Sequence, residues 1–372
     1  MTFALADVAG GAMVLALTAY VLLGGADFGG GVWDLLARGP RRARQRALVA
    51  DTLAPIWEAN HVWLILVVVL LFTCFPAAFA RITTVLHLPL TLMLVGIVLR
   101  GSAFVFRSYD LRRDAAGRRW GRLFAIASAV TPLLLGVCLG ALASGAVGRD
   151  PLDHDPTPAT GAPLPGTFAD HFVRPWATPF ALAVGLLALA LFAFLAAVYL
   201  TVEADERRLP TLADDFRRRA LAAGLALFAA AALALLLAPD APARTGSVRA
   251  VVTGGLRAAL LQTATALCAV GALAALWTRR WRTARLAAQA QAACLVWGWA
   301  WAQYPLLVPP TGTLATLAAP PVTLRLTLGV LAAGTLVLLP SFVYLFRVFR
   351  GRVAEPGERP NRRTPRSVTP VR

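Results

Sequence analysis

Residues able to hold or move a proton fall on successive apolar stretches of this chain. Glu58, Asn60 and His61 lie within four residues of one another, between Trp57 and Trp63, and the run that follows carries no charge until Arg81. Asp27 sits in Gly24-Gly25-Ala26-Asp27-Phe28-Gly29-Gly30-Gly31, and Arg100 closes a further apolar run. An ionisable group in such surroundings is costly, so a functional role is the first hypothesis for each. A carboxylate beside an imidazole can pass protons. The plainer alternative is a polar cluster that holds helices together, and the residues alone leave both readings open.

Helical spacing puts Glu58 and His61 on one face, with Val62 and Ile65. Small residues recur at i, i+4 around Asp27 (Gly25/Gly29 and Ala26/Gly30), a pattern that lets another helix or a flat cofactor approach the backbone. Trp57 and Trp63 read as packing or interface residues. Trp297 and Trp301 share a face near the end of a later span, where an aromatic belt, a quinone surface or a partner surface are the readings.

The elements that must position these residues follow from composition. Hydrophobic residues make up 58% of the 372, and mean hydropathy is +0.67. Soluble domains run nearer ~45–50% apolar. The fold class expected is therefore an all-α integral membrane protein. The net charge of +17 does not point to nucleic acid, because there is no lysine and the arginines cluster in short loops between apolar spans. Cys74, Cys138, Cys268 and Cys294 each lie in an apolar span without CxxC spacing and read as small core residues, neither disulfides nor metal ligands. The N-terminal apolar run has no basic leader and no small-residue cleavage site, so the first helix is expected to stay in place.

Nine spans of about 20 apolar residues are expected, near 4–36, 51–79, 82–106, 122–147, 177–202, 215–238, 256–278, 284–304 and 323–347. With residue 1 outside, most arginines fall on the inner segments 37–50, 107–122, 203–219, 279–285 and 347–372. The outer side keeps Arg81, Arg149, Arg174, Arg244, Arg249, Arg257 and Arg325. The positive-inside rule then places the N-terminus outside and the C-terminus in the cytoplasm. Residues 1–350 form the transmembrane domain, with an extracytoplasmic loop at 148–176. Its Asp and His residues match no metal-ligand spacing. Residues 351–372 read as a basic, disordered tail drawn to anionic lipid.

Orientation gives depth. Asp27, Glu58 and Arg100 fall at a similar level in the cytoplasmic half of three consecutive spans, so Arg100 is expected to face Glu58 or Asp27. The alternative is a lone arginine that snorkels to the surface. His61 and His87, the two histidines inside spans, are separated by roughly 20 Å along the membrane normal. They cannot ligate one haem iron, and no metal site is expected in this chain.

With these residues in view, the chain resembles subunit II of bd-type quinol oxidases, in variants similar to the cyanide-insensitive branch. The resemblance rests on Gly25-Ala26-Asp27-Phe28-Gly29-Gly30-Gly31, on Ala54-Pro55-Ile56-Trp57-Glu58-Ala59-Asn60-His61-Val62-Trp63-Leu64, and on Leu71-Phe72-Thr73-Cys74-Phe75-Pro76. Further support comes from Leu99-Arg100-Gly101-Ser102-Ala103-Phe104, Thr131-Pro132 and Val198-Tyr199-Leu200-Thr201-Val202-Glu203. It implies two four-helix bundles plus a peripheral helix, in the bacterial cytoplasmic membrane, paired with a similar subunit I. That partner would carry haems b and d, oxidise quinol and reduce O2. This chain would be haem-free and not catalytic alone, would stabilise the heterodimer and shape proton access from the cytoplasm, and leaves room for a structural quinone. A small single-helix subunit and membrane lipid complete the partners expected; nucleic acid is not among them.

Two departures stand out. Gly24 occupies a position that is acidic in other branches, and Glu58 one that is often Asp. The first leaves Asp27 as the only buried acid expected in helix one. The reading is a proton relay of Glu58, His61, Asn60 and Asp27 with Arg100 as countercharge, and no catalytic residue in the chain. Its rivals are a proton-coupled transporter and a purely structural partner subunit.

Overall fold

The computed structural model describes residues 4–53, 57–109, 115–149, 166–239 and 254–350, in two units, 1–324 and 325–372. The expected tail, 351–372, and most of the outer loop lie outside the described residues, as do the side chains of Trp57 and Glu58.

Thirteen helices and one short hairpin make up the described residues. In the first unit the helices are α1 (Leu5–Leu35), α2 (Arg42–Leu53), α3 (Trp57–Cys74), α4 (Pro76–Val85), α5 (His87–Tyr109), α6 (Ala115–Ala143), α7 (Ala146–Arg149) and α8 (Phe168–Phe172). They continue with α9 (Pro179–Glu206), α10 (Pro210–Leu236), α11 (Gly255–Trp277) and α12 (Trp281–Gln303). Strands β1 (Leu306–Val308) and β2 (Gly312–Thr313) pair antiparallel. Helix α13 (Pro321–Arg350) carries the described part of the second unit.

Among the described residues, α1, α5, α6, α9, α10, α11 and α13 are long and apolar enough to cross a membrane, and the bent pair α3–α4 adds an eighth. Nine spans were expected. The remaining one, 284–304, does form a helix, but Arg282, Arg285, Gln289, Gln291 and Gln303 dilute its apolar character. Its small buried residues Ala284, Ala288 and Ala292 recur every four positions and pack close to its neighbours.

The expected span 51–79 is broken. Helix α3 stops at Cys74, and α4 leaves at 118° to it. Pro76 has no N–H and a fixed φ, so it starts a helix more readily than it continues one, and Phe75 before it is pulled out of helical conformation (φ −139°). The break frees the Cys74 carbonyl, which accepts from the Ala319 amide at 2.8 Å.

Helix α9 is the centre of the first unit. It is apolar on all sides, as a helix surrounded by other helices must be, and it packs against α1, α6, α10 and α12. Phe192, Phe194, Leu195 and Leu200 from α9 form the core with Tyr20 and Phe28 of α1 and Phe216 of α10. All four cysteines are free thiols, Cys74 and Cys138 buried and Cys268 and Cys294 half-buried. In the described part of the loop, Thr167 caps α8. Hydrogen bonds from the Thr167 amide and hydroxyl hold the Asp170 carboxyl below the usual carboxylate range.

The α9–α10 and α11–α12 turns share one geometry. In each, the amide three residues past the helix end reaches back to a carbonyl (Leu209 to Ala204, 2.8 Å; Arg280 to Ala275, 2.8 Å). The residue between is left-handed, Arg208 at φ 56° and Arg279 at φ 59°. A side chain there costs roughly 1–2 kcal/mol, against roughly 0.5–1 kcal/mol of backbone entropy for glycine. Arg208→Gly is therefore expected to stabilise the protein by about 0.5 kcal/mol, read as a small rise in thermal midpoint. A drop would mean that the Arg208 side chain makes contacts worth more than its strain.

Candidate functional site

The site is built where α1 runs past α3, α5, α6 and α9. Asp27 is 0% exposed and Arg100, on α5, is 2% exposed. The Arg100 Nη2 group donates to Asp27 Oδ1 as a buried ion pair. Its Nε donates to Ser128 Oγ of α6 at 3.1 Å, and the Ser128 hydroxyl donates to the Phe124 carbonyl one turn back at 2.7 Å. The guanidinium also lies over the Phe28 ring at 4.5 Å and the Phe124 ring at 5.3 Å. An arginine this deep requires a countercharge, fixed acceptors and aromatic faces, and all three are present. Among the described residues, buried Asp27 Oδ2 has no hydrogen-bond partner.

Glycines make the approach possible. A Cβ on Gly29 would overlap the Phe192 carbonyl oxygen of α9, and one on Gly31 would overlap the Ser128 side chain. At Gly25 the neighbour is only the Phe192 ring edge, 2.9 Å from such a Cβ, which can turn aside. These glycines thus face protein.

Two further members of the expected set reach the same neighbourhood. Asn60 is buried and donates from Nδ2 to the Leu23 carbonyl at 3.3 Å, one turn before Asp27. The His61 ring packs on Phe28, centroids 5.8 Å apart. Arg100 was expected to face Glu58 or Asp27; it meets Asp27, and the Glu58 side chain lies outside the described residues. Trp63 packs against the core, whereas Trp297 and Trp301 stand exposed on α12. His87 lies elsewhere, with Nδ1 at 2.9 Å from the Thr84 carbonyl and its ring against Phe172 of α8 at 4.8 Å. His61 and His87 do not converge on a haem iron, and no three His, Cys, Asp or Glu side chains gather as a metal site among the described residues.

A second polar layer occupies the arginine-rich end of the same helices. Arg41 grips Asp215 of α10 with two hydrogen bonds, 2.8 and 2.7 Å. Gln45 donates to the same carboxylate at 3.0 Å and accepts from Arg219 at 2.7 Å. Asp34, in the last turn of α1, is 1% exposed and faces Arg46 of α2. Asp27 is thus not the only buried acid of helix one. A sequence signal for Asp34 exists: it follows Asp27 by seven residues, two helical turns on one face.

Family comparison completes the description. The sequence model described as Cytochrome bd terminal oxidase subunit II matches residues 5–349. The chain belongs to this family. It is 29% identical over 136 residues to the Cytochrome bd ubiquinol oxidase subunit 2 of Bacillus subtilis (strain 168), a stretch covering 37% of this chain and 38% of that one. It is 30% identical over 105 residues to the Cytochrome bd-I ubiquinol oxidase subunit 2 of Escherichia coli (strain K12), covering 28% of this chain and 27% of that one. These stretches span well under half of the curated relatives. The fold is similar along almost the whole length to a chain in the structure of bd oxidase from Geobacillus thermodenitrificans, with a TM-score of 0.68 at 19% identity, covering 94% of this chain and 99% of that one.

Proposed function

We propose that this chain is the haem-free accessory subunit of a bd-type quinol:O2 oxidoreductase. It stabilises the haem-bearing subunit I and shapes proton access to it from the cytoplasm. In this reading the N-terminus lies outside the bacterial cytoplasmic membrane and the C-terminus inside, so the arginine-rich end of the helices meets the cytoplasm. Quinol and O2 are substrates of the complex, haems b and d belong to the partner, and a structural quinone, a single-helix subunit and lipid are further components.

The observation that carries the proton role is the buried Asp27–Arg100 pair with its unpartnered carboxylate oxygen. Arg100 holds Asp27 in place, and Oδ2 stays available to accept a hydrogen bond or a proton. Asn60 and His61 stand nearby on α3, Asn60 bonded to the Leu23 carbonyl and the His61 ring against Phe28. Glu58 lies in the first turn of the same helix, where it would pass protons toward them. A buried pair of this kind also holds helices together, and that structural role is the reading to exclude.

Co-purification should bring a haem-bearing partner with this chain, with the haem spectrum belonging to the complex and absent from the chain alone. In that complex, Glu58→Gln and Glu58→Ala are expected to slow quinol oxidation and proton uptake at least tenfold with the haem spectrum unchanged. Wild-type rates in both variants would leave the chain a structural partner only. Solute movement by the isolated chain in liposomes would support a transporter instead.

A further inference from the structure

We propose that Asp34 is the carboxylate that admits protons at the arginine-rich end of α1 and passes them toward Asp27, with Arg46 as the cation that covers it. This inference rests on the proton-path reading above and names a residue which that reading did not contain.

Asp34 stands where a carboxylate is doubly unfavourable. It is 1% exposed, and it sits in the last turn of α1, at the negative end of the helix dipole. Packing alone would be served as well by leucine or asparagine. The cost is offset by Arg46, whose Nε and Nη2 donate to the Asp34 carbonyl at 3.2 and 3.1 Å, with Nε 3.5 Å from Oδ1. The Arg46 side chain is 30% exposed, so the group that shields Asp34 also touches solvent. A buried acid under a solvent-touching cation is an arrangement that can exchange a proton with water.

The way onward is along one face of α1. Seven residues place Asp34 and Asp27 about 10 Å apart on the same side. The positions between them on that face are Gly30 and Gly31, which contribute no side chain. The Ser128 side chain rests on Gly31 and accepts from Arg100, the partner of Asp27. The Ser128 hydroxyl donates its one hydrogen to the Phe124 carbonyl, so it hands a proton along by turning that hydrogen toward ordered water. At the far end, buried Asp27 Oδ2 has no hydrogen-bond partner among the described residues. The balance is a proton alone: protonated Asp34 gives it up through the hydroxyl–water chain, the Asp27 carboxylate takes it, and water on the Arg46 side reprotonates Asp34. No electron moves.

The test uses the purified complex with its haem-bearing partner and compares Asp34→Asn, Asp34→Glu and Glu58→Gln. Turnover is read as quinol-driven O2 consumption, in H2O and D2O, with the haem spectrum reporting assembly. Asp34→Asn is expected to lose at least tenfold in turnover and to gain a larger solvent isotope effect, while Asp34→Glu recovers most of the rate. Wild-type behaviour of Asp34→Asn alongside a slow Glu58→Gln overturns the inference and leaves the proton-path reading standing. Wild-type behaviour of both overturns the two together. Should Asp34→Asn fail to assemble, Arg46→Gln decides: slowed, isotope-sensitive turnover supports the inference, and unchanged turnover overturns it.

Discussion

Replacing Arg100 with leucine is expected to destabilise the protein by about 3–5 kcal/mol, the range for leaving one member of a buried ion pair uncompensated. The variant strands Asp27, which is fully buried and pairs with Arg100. It also leaves the Ser128 hydroxyl without its donor and the Phe28 and Phe124 faces without the guanidinium. Neutralising the acid as well, in Asp27→Asn with Arg100→Leu, should recover a large part of the loss, because no net charge then remains buried. Lysine at position 100 should fall between, since its ammonium cannot reproduce the planar fork that reaches Asp27 and Ser128 together. Thermal unfolding of the detergent-solubilised protein measures all three. A leucine variant as stable as the parent would show that the pair contributes nothing.

Gly29→Ala should cost about 3 kcal/mol, toward the upper end for overpacking a tight core. The added methyl would overlap the Phe192 carbonyl oxygen and crowd Ala196 at 2.7 Å. A carbonyl bonded within α9 cannot swing away as a side chain can, so the two helices must separate. Phe192 stacks on Phe28 at 6.3 Å, and Phe28 lies under Arg100, so the displacement reaches the ion pair. Gly25→Ala meets only the movable ring edge of Phe192 and should cost less. Gly11→Ala is the control: nothing lies within 4 Å of its Cβ, and helix propensity favours alanine by up to ~1 kcal/mol. Thermal midpoints that rank the three otherwise would contradict the close approach of α1 and α9.

Much of the site could be read before any coordinates, because a membrane imposes a depth on every residue. Counting spans and arginines put Asp27 and Arg100 at one level on separate helices, and an arginine there needs an acid. That Arg100 reaches Asp27 was not legible. It depends on which faces of α1, α3 and α5 meet, and that is set by the glycines against α9 and α6. Asp34 was passed over for a related reason: a carboxylate close to a span end reads as solvated, and only the packing of α2 over it, through Arg46, shows it to be buried.

The broken second span makes the same division plain. Apolar length is a property of composition, so residues 51–79 looked able to cross as one continuous span. The 118° turn at Phe75–Pro76 needs a proline with no amide to donate and, for the freed Cys74 carbonyl, an acceptor's partner some 240 residues onward at Ala319. By itself, then, the sequence determined the membrane class, most of the long apolar helices, the arginine-rich end and the family. Periodicity and charge are local and survive without a fold. The tertiary structure alone decided that Arg100 meets Asp27, which acid hides under Arg46 and where a span breaks, because each depends on a contact between residues far apart in the chain.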